Sequence, residues 1–407
     1  MTRLRMIVPA VVAGVALTVS TGFAQQPRPD PALERALRIL EETPLIDGHN
    51  DLPWAIREYR AAPHDVRAYD LRTRTPGHTD LERLRAGRVG AQFWSVYIPS
   101  ESVHEGAARM QLEQIDIARQ VIARYPDHLE LALSASDIER IFGSGKIASL
   151  IGIEGGHAIE NSLGALRAFY DLGVRYMTLT HSLTTDWADA ATDTPRHGGL
   201  TPFGKEVVRE MNRLGMLVDL SHVAPATMHA ALDVSEAPVI FSHSSARAVT
   251  DHVRNVPDDV LRRMPENGGI VMVTFVPAFV SEAVRTHTGD GPAPRATIAD
   301  VVAHIEHIRN VAGIDHVGIG GDFDGISSTP DGLEDVSTYP ALFAELVRRG
   351  WSDDDLRKLA GENLLRVFRE AEATARRIQR ERGPSLATIE ELDGVKTSSS
   401  ALRTTAR

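Results

Sequence analysis

The fold this sequence predicts is an α/β barrel of eight parallel strands, the (β/α)8 TIM-type architecture. Two observations predict it. Short apolar runs alternate with helix signals from about residue 30 to residue 375, and a metal-capable side chain follows six of the eight runs. The expected strands are 45–49, 89–96, 147–153, 174–179, 216–220, 239–242, 269–274 and 316–320. Runs such as IASLIGI and MLVDL are apolar almost without a break, as parallel strands buried on both faces should be. Eight strands alternating with helices favour the barrel; a doubly wound open sheet is the alternative.

The helices announce themselves by their caps. Asp30-Pro31 opens one that carries Leu33, Leu37 and Leu40 on one face. Thr201-Pro202 opens another, closed by Gly215, and Thr297 caps a third that runs to Gly313. A capping side chain before the apolar pattern and a glycine after it mark where each helix starts and stops.

Composition sets limits on function. The 407 residues are 43% hydrophobic, enough for a large core. A formal charge of −11 argues against nucleic acid, which calls for a basic patch. With no cysteine, disulfides and thiolate metal sites are excluded, so a metal must rest on His, Asp and Glu. There is no internal repeat or long linker, and residues 25–385 read as one catalytic domain. Before it, Arg3 and Arg5, an apolar run over 6–20 and Gly22-Phe23-Ala24 form a secretory signal pattern over residues 1–24. That pattern implies a protein secreted or periplasmic after cleavage behind Ala24. The run is short for a membrane span, and an uncleaved anchor is the alternative. Residues 386–407 read as a polar, disordered tail, without the hydrophobic stretch a lipid-anchor signal needs.

The strand ends carry the chemistry. Asp47-Gly48-His49-Asn50-Asp51 closes the first strand, Glu154 the third, His181 follows the fourth, His222 the fifth, His243 the sixth and Asp322 the eighth. Barrel active sites are built at this C-terminal face, where strand ends distant in sequence converge. Any one of these residues alone is commonly a polar group at a turn. Their joint placement in one register points to a metal. Imidazole and carboxylate suit zinc, and two carboxylates with three histidines exceed what one four-coordinate ion keeping a water can use. They suit two metals sharing a bridging carboxylate and holding a hydroxide between them.

The strings IDGHND, GIEGGH, LTHS, DLSHV, FSHSSAR, RNVPDD and GIGGDFDG, in this order over residues 36–373, resemble those of the membrane (renal) dipeptidases, peptidase family M19 of the amidohydrolase superfamily. The resemblance implies a barrel of the metal-dependent hydrolase type and a dipeptidase with two Zn2+ per chain. It implies that His49 and Asp51 hold one metal, His222 and His243 the other, and that Glu154 bridges them. It implies that His181 contacts the substrate and stabilises the developing oxyanion, and that Arg254 binds substrate. It implies that Asp322 moves protons and meets the free amino group of a dipeptide, L-L or L-D at its C-terminal residue. A homodimer is implied too, non-covalent in a chain without cysteine.

The resemblance has gaps. Ser182-Leu183-Thr184-Thr185 follows His181 where relatives often carry asparagine, and MVTFVPAF follows the seventh strand where relatives tend to have asparagine and tyrosine. Deacylation of N-acyl amino acids, lactone opening, or metal-retaining periplasmic binding are the rival functions; a general base at Asp322 speaks against binding alone. His157 is expected to support the site from behind. His304 and His307, at i and i+3 on one helix, lack the HExxH arrangement of zincins and are expected to be solvated. The glycines of GIGGDFDG come without a phosphate-loop lysine and are expected to serve a tight turn. His64, His78, His104, His128, His197 and His287 have no assigned role.

Overall fold

Nine parallel strands form one sheet that closes on itself in the computed structural model. They are β1 (Leu45–Asn50), β2 (Val89–Ser95), β3 (Leu129–Leu131), β4 (Ile147–Glu154), β5 (Val174–Thr178), β6 (Leu217–Asp219), β7 (Ile240–Phe241), β8 (Ile270–Val273) and β9 (Val317–Ile319). The order β2-β1-β9-β8-β7-β6-β5-β4, with β2 paired to β4, is a closed eight-stranded barrel. The structure describes residues 30–103, 105–289 and 291–395; the leader expected at 1–24 lies outside the described residues but for five isolated positions, and 396–407 lie outside them entirely. No helix among the described residues is long and apolar enough to cross a membrane.

All eight expected strands are present. β3 was not expected: its three residues, LEL, give no apolar run. It pairs with Ile147–Ser149 of β4 on the edge that β5 takes over from Ile151 onward. β6 and β7 are shorter than expected because a side chain takes the place of backbone pairing at their ends. Asp219 accepts the N–H of Ser221 at 3.0 Å and of Ser242 at 2.8 Å.

The two-residue period of a strand divides the core into two layers. Ile46, Ala91, Phe93, Ala148, Leu150, Tyr176, Leu217, Ile240, Ile270 and Met272 pack together as the barrel filling. Their strand neighbours Leu45, Ile151, Ile153, Val218, Phe241, Val271 and Ile319 pack against the helices. Close packing inside demands small residues at set places. A Cβ on Gly152 would lie 2.1 Å from the Tyr176 ring, and one on Gly320 would lie 1.8 Å from the Ser242 carbonyl oxygen.

The helix starts are capped as read from the sequence. Asp30 accepts from the N–H of Ala32, Thr201 from that of Gly204, and Thr297 forms a capping box with Asp300. The first helix (Pro31–Glu42) buries Ala36, Ile39 and Leu40 rather than a stripe through Leu37. The segment after 385, expected to begin a disordered tail, folds at first into a short helix (Ile389–Asp393) with Ile389 buried. Asp393 accepts from Thr201 Oγ1 at 2.6 Å and from the N–H of Phe203 at 3.1 Å, so it covers the start of the helix Pro202–Leu214.

His304 is corrected outright. It is fully buried, because Val301, Ile305 and Ile308 place it on the inward stripe of the helix Ile298–Ala312. His307, one position off that stripe, bonds Asp258 at 2.8 Å and is a quarter exposed.

Gly320→Ala should cost about 1–3 kcal/mol, the usual penalty of overpacking, because the atom it meets is backbone. Thermal melting checks this: an unchanged Tm would mean that β9 and the β7 loop can part without loss.

Candidate active site

The strand ends bring the expected residues into one cluster. Glu154, the last residue of β4, sits at its centre. Its Oε1 lies 2.9 Å from His222 Nε2, 3.3 Å from His243 Nε2, 3.6 Å from His49 Nε2 and 3.8 Å from His181 Nε2. His49 Nε2 is in turn 3.3 Å from Asp51 Oδ2 and 3.9 Å from Asp322 Oδ1. Three overlapping groups of possible ligand atoms lie within 4.8 Å of one another: His49, Glu154 and His243; Glu154, His181 and His222; His49, Asp51 and Asp322. All five residues expected to hold metal are therefore together. His181 and Asp322, expected to meet substrate, are in ligand reach as well.

This donor set fits a cation. His222 and His243 point their Nε2 atoms at each other across 2.9 Å. His49 Nε2, Asp51 Oδ1 and His222 Nδ1 are buried with no hydrogen-bond partner among the described residues. Buried polar atoms are rarely left so, and a metal ion in the cluster would complete those of His49 and Asp51. The electrostatics agree. Burial pushes His222 and His243 well below the usual histidine range, leaving them neutral, the form that ligates. Burial also opposes a charge on His49, yet Tyr176, Asp51 and Glu154 draw its pKa well up: the carboxylates here call for positive charge. Burial alone would raise Glu154, but His49, His181, His222 and His243 hold it well below the carboxylate range. Burial, with Asp51 and Glu154 nearby, pushes Asp322 well above it.

A second tier fixes the first. His49 Nδ1 meets Tyr176 OH at 2.9 Å, and His243 Nδ1 meets Ser242 Oγ at 2.8 Å. Ser242 Oγ donates to Asp219 Oδ2 at 2.6 Å, as does Thr178 Oγ1. Asp47, whose burial raises its pKa to about 6, accepts from the N–H of His49 and of Gly321 and from Tyr339 OH. Such partners set the orientation and basicity of a ligating imidazole. Sequence reading assigned no role to Tyr176, Asp219 or Tyr339. An aspartate two or three residues before a strand-end histidine, in both IDGH and VDLSH, was the available signal.

The turn after β9 is strained as a tight approach requires. Asp322 and Asp324 have φ of 64° and 65°, and His222 has 70°. A Cβ on Gly325 would fall 2.2 Å from Asp51 Oδ2, so this glycine serves a close approach, while the positive φ of the turn falls on the aspartates and not on the glycines. His78, without a role in the sequence reading, locks this turn: Asp324 N donates to its Nδ1 at 3.0 Å, and its own N–H donates to Asp324 Oδ1 at 2.6 Å. His157 is buried beside His181, and burial pushes its pKa down to about 4.

A cavity of about 630 Å³ opens over the cluster. Arg254 lines it at 4% exposure, and no carboxylate among the described residues lies within 4.0 Å of its guanidinium. Its contacts are neutral: Ser244 Oγ at 3.5 Å, the His243 carbonyl at 3.4 Å and the Phe279 ring at 5.5 Å. Val276 and Phe279, from the VPAF segment, form wall, as do Trp54 and Tyr97.

Tyr176→Phe removes the partner of His49 while keeping the ring. It should weaken metal binding by about 10–100-fold. Competition against a graded series of chelators measures this; unchanged affinity would mean that the hydroxyl plays no part in holding His49.

Known proteins agree with this geometry. The family model described as membrane dipeptidase, peptidase family M19, matches residues 33–382. Dipeptidase 3 of Mus musculus is 48% identical over 350 residues, spanning 84% of this chain and 68% of that protein. A metallo peptidase from Rhodobacter sphaeroides, solved with a phosphinate mimic of the dipeptide L-Ala-D-Ala, superposes with a TM-score of 0.70 at 28% identity, over 81% of this chain and 99% of that one. The structure of dipeptidase AC, a metallo peptidase of family M19, gives 0.72 at 28% identity over 81% and 98%. A probable dipeptidase from Pseudomonas aeruginosa gives 0.76 over 85% and 100%, which at 24% identity speaks for the fold alone. With a barrel of this topology and a His/Asp/Glu cluster at its mouth, the chain belongs to the membrane dipeptidase family, peptidase family M19, as a metal-dependent dipeptidase.

Proposed function

We propose that the enzyme uses two zinc ions to hydrolyse free dipeptides, L-L and L-D, outside the cytoplasm. The observation that carries the substrate is Arg254: a buried guanidinium without an anionic partner, in the same cavity as Asp322. A buried charge without a partner is costly, and a substrate carboxylate supplies one. A planar fork suits it.

In this reading His49 and Asp51 would hold one zinc and His222 and His243 the other, with Glu154 available to both. The ions supply Lewis acidity toward the scissile carbonyl and acidify water. His181 is kept neutral by burial, and its Nδ1 lies 3.2 Å from Ser100 Oγ. When that hydroxyl donates to Nδ1, the proton sits on Nε2, a preorganised donor to the oxygen that gains charge. Asp322 accepts a proton from the attacking water and returns it to the leaving amine. The same carboxylate meets the substrate ammonium. Charge partners at both ends measure length, so a longer or N-acylated peptide would bury an unpaired group.

Tolerance for a D-residue follows if the C-terminal residue is recognised by its carboxylate. The Rhodobacter relative solved with a phosphinate mimic of L-Ala-D-Ala supports it. Location outside the cytoplasm rests on the leader pattern of residues 1–24.

Elemental analysis after zinc reconstitution should find about two ions per chain, chelation should abolish activity, and Glu154→Gln should weaken both sites. One ion or fewer sinks the dinuclear reading. Asp322→Asn should keep both ions while kcat falls about 10²–10⁴-fold. Turnover near wild type would remove Asp322 from proton transfer, and lost zinc would make it a ligand. A panel of L-L and L-D dipeptides, their N-acetyl forms and matched tripeptides tests the substrate. Equal rates on acetylated dipeptides would favour an N-acyl amino acid deacylase, and failure on L-D dipeptides alone would remove only the stereochemical part.

A further inference from the structure

His304 is buried on a helix outside the barrel, and its ring hydrogen-bonds two segments, both of which shape the cavity. Its Nδ1 accepts the N–H of Ala246 at 3.0 Å. Its Nε2 meets the Val280 carbonyl at 3.1 Å and Thr250 Oγ1 at 3.3 Å. These partners allow one state: a neutral ring with its hydrogen on Nε2. Ala246 and Thr250 belong to the loop after β7. That loop doubles back on itself, with Arg247 N donating to the Val256 carbonyl at 2.9 Å and Val256 N to that of Ser245 at 2.7 Å, and it carries Arg254 between these ties. Val280 ends the short helix Pro277–Val280 after β8, next to Phe279. Asn255 makes a parallel link, donating to the Thr250 carbonyl at 2.9 Å and the Phe279 carbonyl at 2.8 Å. Across this junction Arg254 lies over the Phe279 ring, and the far side of the cluster is closed by His252, stacked on Phe279 at 4.2 Å.

We infer that His304 is a positioning residue for the carboxylate end of the cavity: neutral, it ties the Arg254 loop to the Phe279 segment, and protonation unties them. The inference rests on the proposed pairing of Arg254 with the substrate carboxylate. A proton on Nδ1 would point at the Ala246 N–H, so the tied and protonated states exclude each other. Burial, with His307 nearby, pushes the ring's pKa down to about 4, in keeping with that exclusion. The sign follows. The tied form resists protonation and the released form does not, so the tie is at full strength above the ordinary histidine value of about 6.5 and weakens as pH falls toward 4. The charged and titratable groups on the packed elements include Asp300, Glu306, His307 and Arg309 on its own helix, Arg247, Asp251, His252 and Arg254 on the loop, Asp258 and Asp259 beyond it, and Glu282 and Arg285 after Phe279. None of them hydrogen-bonds the ring. His252 also has a pKa pushed down to about 4, by burial and Arg254, and its Nδ1 accepts the Arg254 N–H at 3.2 Å, so it is the competing explanation for any pH effect.

The readout is the ratio of kcat/KM for an L-L dipeptide to that for its C-terminal amide, in zinc-loaded enzyme. Loss of zinc or of fold lowers both substrates alike and cancels. His304→Leu, which keeps apolar volume and removes both bonds, should lower this ratio about tenfold, the scale on which a displaced binding group acts. Zinc content should not change. In wild type the ratio should fall progressively as pH is lowered from about 6.5 toward 4, and the fall should persist in His252→Gln; this arm stands even if His304→Leu does not fold. Arg254→Met provides the control on the underlying reading. If it leaves the ratio at pH 7.5 unchanged, the pairing of Arg254 with the carboxylate is wrong. If it collapses the ratio while His304→Leu does not move it, or the wild-type ratio is flat with pH, or His252→Gln abolishes the pH effect, the role of His304 is overturned and that of Arg254 stands.

Discussion

Everything at the barrel mouth answers to one buried carboxylate. Glu154 ends β4 at 5% exposure, where a lone negative charge would cost several kcal/mol. Four imidazoles surround one of its oxygens within 3.8 Å. Neutral imidazoles cannot offset that charge, and the pull on His49 toward protonation shows the deficit. A metal cation would offset it, which makes the metal part of the fold's electrostatics and not only of its chemistry. The burial that creates the demand also makes it selective, since a site this dry rewards charge strictly where the donors converge.

The second tier explains how histidines on separate strands keep one geometry. Asp47 and Asp219 do the same thing on opposite sides of the barrel: each accepts two backbone N–H groups that strand pairing leaves unfilled and, with its other oxygen, receives hydroxyls beneath the ligands. Each thereby joins two neighbouring strands as the sheet gives way to the loops. The shortness of β6 and β7 is then no defect: the ladder has been replaced by side chains that aim His243.

The cluster was legible in the sequence because its candidate ligands sit at the ends of apolar runs, and such runs are a local signal. The same locality hid the rest. Tyr176 reads as one more barrel residue; only the space left by Gly152 lets its hydroxyl reach His49. Trp54 and Tyr97 become wall through packing between separate loops, with rings 4.9 Å apart. β3 is too short for any period to register. His304 was legible and misread: its neighbours at 301, 305 and 308 mark the buried stripe, but a charged-type residue on a barrel helix invites a solvent assignment.

The seam between β1 and β9 joins chain segments far apart, with Asp47 receiving Gly321 across 274 residues. Loop closure over such a span comes late in folding, after nearer contacts have formed. His49 and Asp51 lie on one side of that seam and Asp322 on the other. An emerging or truncated polypeptide therefore owns the pieces of a metal site without owning the site. The cluster of His49, Asp51 and Asp322 is completed only when the two ends of the barrel meet, whereas Glu154, His181 and His222 need no such closure.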